Sequence, residues 1–166
     1  MNTISKTLLG AVLALASIAG AWAQAAAPVT VLAPWARASV QGQRASGAFM
    51  TLVAQEPLTL VGAASPVAGL AEVHEMKMEG DVMRMRPVAE LKLEPNRPVQ
   101  LKPGGHHLML QELKAPLAAN TRIPLTLSFK TSSGELRELA LQVPVSAVPP
   151  REAGAADAHG HGHGKH

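Results

Sequence analysis

The stretch His74-Glu75-Met76-Lys77-Met78-Glu79-Gly80-Asp81-Val82-Met83-Arg84-Met85 decides how the rest of the chain is read. It holds one histidine and four of the seven methionines, and in both halves a soft side chain alternates with a charged one. Alternation with a period of two is a strand pattern, so His74, Met76 and Met78 fall on one face and Glu75 and Lys77 on the other. Met83 and Met85 then share a face opposite to that of Arg84 and Arg86. A two-residue loop at Glu79-Gly80 makes the stretch a hairpin that sets His74 against Met85, Met76 against Met83 and Glu75 against Arg84.

Outward from the hairpin the same grammar continues. From Ala33 to about Val145 the sequence runs in short alternating or apolar segments broken by Gly, Pro, Asn and Ser, with no sustained 3.6-residue periodicity. Strands are expected over Trp35–Ser39, Gly47–Val53, Thr59–Ala63, Glu72–Met78, Val82–Pro87, Leu91–Leu93, Val99–Leu101, His107–Glu112, Ile123–Lys130 and Leu136–Val143. Their spacing of roughly 8 to 12 residues favours an all-β sandwich or small barrel.

The ends of the chain read differently. Met1 to Lys6 carries one positive charge, Leu8 to Gly20 is an unbroken small and apolar run, and Ala21-Trp22-Ala23 offers a small-x-small cleavage pattern. Residues 1–23 are therefore expected to be a signal peptide, 24–32 an N-terminal lead, 33–148 the folded domain and 149–166 a flexible His-rich tail. The apolar run is shorter than the ~20 residues that span a bilayer, and no second run follows, so no membrane span is expected in the mature protein.

Composition removes several function classes. The formal charge of +3 becomes about +2 without Lys6, and beyond the leader the only aromatic carbocycles and indoles are Trp35, Phe49 and Phe129. Nucleic-acid binding calls for a basic stripe with stacking aromatics, which is not what this sequence offers. Cysteine is absent, so there is no disulfide framework, thiol nucleophile or thiolate site. No catalytic serine motif or phosphate-binding glycine loop stands out, and no enzymatic activity is expected.

Methionine is an adaptable core filler, and the hairpin alone is read as packing as readily as ligation. A second segment, Gly104 to Leu110 (GGHHLML), tips that reading, because His107 and Met109 share a strand face while His106, Leu108 and Leu110 take the other. Two strands then each offer an imidazole and a thioether. A four-coordinate set of two histidines and two methionines prefers Cu(I), since thioether sulfur is soft, whereas zinc recruits thiolate or further nitrogen and calcium demands oxygen. The electron-transfer copper sites need a cysteine, and a haem lacks its attachment signal here.

The spacing is also recognisable: His74, ten residues, Met85, twenty-one residues, His107, one residue, Met109. With PWARAS (34–39), SGAFMTL (46–52) and LKPGGHHLML (101–110), it resembles the PCu(A)C family of periplasmic copper chaperones. The resemblance departs at VAQEPL (53–58), where relatives carry an Asn-Gly type of turn, and at His106, where they carry an aromatic or aliphatic residue. It implies a cupredoxin-like Greek-key β-sandwich whose Cu(I) ligands are His74, Met85, His107 and Met109, with Met76, Met78 and Met83 left to packing or to a soft outer rim. It further implies a periplasmic protein that delivers copper to the CuA domain of cytochrome c oxidase, directly or through a Sco-type thiol copper protein. A copper-buffering or resistance protein, and a metal-free sandwich used in assembly, are the other readings. The tail adds His159, His161, His163 and His166 on a glycine-spaced run, a nitrogen-donor set that suits Cu(II).

Overall fold

The computed structural model describes residues 26–150, so the leader and the four tail histidines lie outside the described residues. Among the described residues there are ten strands and no helix: β1 (Val29–Arg37), β2 (Ala45–Ala54), β3 (Leu58–Ala64), β4 (Leu70–Glu79), β5 (Val82–Pro87), β6 (Leu91–Leu93), β7 (Pro98–Leu101), β8 (His107–Gln111), β9 (Arg122–Thr131) and β10 (Leu136–Ser146). They form a β-sandwich with strand order β5-β4-β8-β2-β1-β10-β9-β3-β6, in which β7 also pairs with β2. A pairing of Ala63 with Ala71 joins β3 to β4 and closes the ladder on itself. Among the described residues no helix is long and apolar enough to cross a membrane.

Inward-facing positions supply a core of aliphatic side chains around Phe129, with Leu52, Leu60, Leu108, Leu110, Leu125, Leu127 and Val143 at or below 1% exposure. In β8 the alternation puts Leu108 and Leu110 into that core, which turns His107 and Met109 to the opposite face of the sheet. In β4, Ala71 and Val73 do the same for Glu72 and His74.

Two expectations change. The β4–β5 loop is Gly80-Asp81 rather than Glu79-Gly80, so the partners are His74 with Pro87, Glu75 with Arg86, Met76 with Met85 and Met78 with Met83. Tight hairpin loops require positive φ at their first central residue, which Glu79 would adopt only with strain, whereas Gly80 takes φ +62° freely. The displacement is by two residues, so every side chain keeps its face.

β1 begins at Val29, not Trp35, so part of the segment expected to be a lead is strand. The reason is a bulge. Ala33 stands at φ +47° and the β1–β2 register shifts between Leu32 and Trp35, so the period of two breaks at Ala33-Pro34 and hides the first half of the strand from a pattern reading. Because a bulge inserts one residue, Trp35 lands beside Phe49 on the outer face and Ala36 enters the core.

Candidate metal centre

β8 lies between β4 and β2, and its register sets His107 directly against His74. The two imidazole centroids are 6.2 Å apart, and both rings are buried, at 7% and 8% exposure. Met85 reaches over from β5 and brings its sulfur to 3.3 Å from Nε2 of His107. These three sequence-expected residues converge. Met109 shares their face one rung further along β8, opposite Glu72 on one side and Gly47 on the other.

Nδ1 of His107 lies 3.0 Å from the carbonyl of Gly105, an oxygen that only accepts, so Nδ1 donates there and, in the neutral ring, Nε2 is the nitrogen that carries a lone pair. In that tautomer Nε2 and the Met85 sulfur face one another as two electron-pair donors. Two ligands of one tetrahedral metal, with bonds of ~2.0 and ~2.3 Å to nitrogen and sulfur, stand ~3.5 Å apart, close to what Met85 and His107 already adopt.

His74 is oriented by residues that motif reading passed over. Its Nε2 lies 3.2 Å from a carboxylate oxygen of Glu72, and the side-chain amide of Gln111 donates to the same oxygen at 3.2 Å. Its Nδ1 is buried and has no partner. An imidazole held by a carboxylate at one nitrogen, with the other left open, is the outer support that metal-binding histidines ordinarily have. The sequence puts Glu72 two residues from His74 on one strand and Gln111 on the β8 face of His107, but only the β4–β8 pairing brings the three together.

Aromatic rings wall the site on the β2 side. Phe49 packs 6.4 Å from His107 and 4.6 Å from Trp35, centroid to centroid, with the Arg37 guanidinium 5.7 Å above Phe49. Gly47 lets the Phe49 ring fold back, since a Cβ there would meet Cζ of Phe49 at 2.7 Å. On the other side the site is open, as Met85 is 48% exposed. The loop from Lys102 to His106 closes the third side, and the Gly105 carbonyl also accepts from the backbone of Met76 at 3.3 Å.

The opposite face of the hairpin is charged. Arg86 donates to Glu75 at 2.6 Å and Arg84 pairs with Glu79 at 3.1 Å. The Arg86 hydrogen bond holds the Glu75 carboxyl below its ordinary value, with Arg86, His106 and Lys77 adding attraction. His106 stands 3.6 Å from Glu75, on the face away from His107, and takes no part in the convergence. Among the described residues no three His, Cys, Asp or Glu side chains gather as a metal-holding group, so any metal here depends on the thioethers.

Residues 29–145 match the family model described as "Putative lipoprotein LpqE-like". The chain belongs to the LpqE-like family. Its fold is that of PCuAC domains. This LpqE-like chain is 21% identical to the apo PCuAC domain from PmoF1, with a TM-score of 0.59 over 75% of this chain and 98% of that one. The apo-DR1885 solution structure from Deinococcus radiodurans is 31% identical, with a TM-score of 0.53 over 87% of this chain and 96% of that one. A curated relative, "Putative lipoprotein Lxx21020" of Leifsonia xyli subsp. xyli, is 30% identical over 106 residues, which is 63% of this chain and 64% of the relative.

Proposed function

We propose that this chain is a periplasmic copper chaperone that holds Cu(I) through His74, Met85, His107 and Met109 and passes it on. The observation that carries the reading is the approach of the Met85 sulfur to Nε2 of His107, the nitrogen that bears the lone pair in the neutral ring. A cation relieves that lone-pair contact, and a soft one suits the sulfur. DR1885 has also been solved in a CuI form, 30% identical to this chain, with a TM-score of 0.50 over 78% of this chain and 82% of that one.

Thioether ligands fit an oxidising compartment, where thiols are lost to disulfides, and they release copper by ligand exchange without any proton step. The recipient is the CuA domain of cytochrome c oxidase or a Sco-type thiol protein, whose thiolates hold Cu(I) more strongly than thioethers and set the direction of transfer. The tail histidines collect Cu(II) and raise its local concentration. Cysteine is absent from all 166 residues, so none of them can carry a thiol-linked lipid.

An anaerobic competition titration tests the ligand set. His107→Ala and Met85→Leu each lose at least tenfold in Cu(I) affinity, about 1.4 kcal/mol, while Met76→Leu changes it less than threefold. Equal losses at Met76 and Met85 would sink the quartet. Transfer to an apo CuA domain separates a chaperone from a buffer, which keeps its copper.

A further inference from the structure

Four methionines, and not Met85 alone, stand on the site face of the β4–β5 ribbon. Met76 faces Met85 and Met78 faces Met83 across the strands, in two successive rungs leading away from His74. The outer rung is open to solvent, with Met78 at 59% and Met83 at 47% exposure. It is not core, because every residue of β5 is exposed and β5 has no strand beyond it.

Neither folding nor solubility accounts for sulfur at these positions. Methionine is not among the residues that strands favour, and an exposed apolar row on an edge strand is an aggregation hazard that threonine would avoid. From Met76 to Met85 the charged side chains of the two strands, Lys77, Glu79 and Arg84, stand on the other face, so the four sulfurs make a continuous soft strip. Directly opposed residues have Cβ atoms ~5 Å apart, near enough for two flexible thioethers to converge on one ion.

We infer that Met78 and Met83, assisted by the Met76–Met85 rung, form a second and weaker Cu(I) station through which the ion enters and leaves the inner site. The inference rests on the copper-binding reading above and deepens it. Rungs on one face are ~7 Å apart, and the sulfur of Met85 already touches the inner site at His107. Met85 therefore belongs to both stations. The ion moves by exchanging one thioether for the next and stays Cu(I) throughout, so no electron or proton is transferred.

The test uses the full chain with His159, His161, His163 and His166 all replaced by alanine, which removes competing nitrogen donors outside the domain. Titrated anaerobically with Cu(I), this protein takes one tight and one weaker equivalent, and the methyl resonances of Met78 and Met83 shift only with the second. Adding Met78→Leu and Met83→Leu, which keeps the strip apolar, removes the second equivalent, leaves the tight affinity within twofold and slows loading at least fivefold. One equivalent in the parent, or two in the doubly substituted protein, overturns the station and makes the strip a contact surface for a protein partner. His107→Ala separates the readings: it removes the tight equivalent and leaves the weak one. A tight equivalent that survives His107→Ala refutes the quartet while the station still stands or falls on Met78 and Met83.

Discussion

At the scale of single residues the site depends on which nitrogen of each imidazole is free. Gly105 settles that for His107 and Glu72 for His74, so the two histidines reach the same end by different means, one through a backbone carbonyl and one through a carboxylate. Glu72→Ala should lower Cu(I) affinity roughly tenfold to a hundredfold, the usual cost of removing an outer-shell partner. Glu72→Gln should fall between, because its amide oxygen still accepts from the ring. A competition titration reads both, and unchanged affinity in Glu72→Ala would mean that His74 needs no such support. That His74, Met85, His107 and Met109 share one face was legible because alternation fixes it. Glu72 and Gln111 were not, since their role depends on β4 lying beside β8, a long-range pairing that no local pattern encodes.

At the scale of elements the ribbon shows what a sequence does and does not specify. Its faces followed from period-two alternation and survive, but its partners moved by two residues because glycine, not glutamate, takes the positive φ. Glu75 ties the two strands together on the charged face. Its carboxyl is held below the ordinary value of 4.5, chiefly by the Arg86 hydrogen bond, so it favours the folded ribbon above that pH and ceases to as pH falls through the lowered value. Backbone amide exchange from Met76 to Met85 should therefore quicken, relative to the core strands, as pH falls below about 4.5. In Glu75→Gln that acid dependence should flatten. An identical profile in both proteins would place the acid-sensitive contact elsewhere.

At the scale of the whole molecule the all-β class was plain from strand spacing, whereas the closure of the sandwich through Ala63 and Ala71 was not, because alanine pairs announce nothing. Pro149 and Pro150 line a groove with Trp35, Phe49 and Lys102, on the side of the sheet that carries the proposed site. His159 is nine positions beyond Pro150, and a flexible chain of that length spans roughly 15–18 Å. Deleting Ala158 to His166 should leave Cu(I) affinity unchanged and remove most Cu(II) binding, as read by paramagnetic resonance, and should slow loading from dilute Cu(II) with reductant. Indistinguishable loading rates would reduce the tail to a solubilising appendage. The bulge at Ala33-Pro34 has a consequence of another kind. By turning Trp35 outward against Phe49, it puts the only tryptophan beyond residue 25, in a chain without tyrosine, two rings from His107. In a protein made to begin at residue 24, the ultraviolet emission comes from that one indole. Copper loading should dim it stoichiometrically and His107→Ala should hold it constant, which makes the chain its own optical gauge of occupancy.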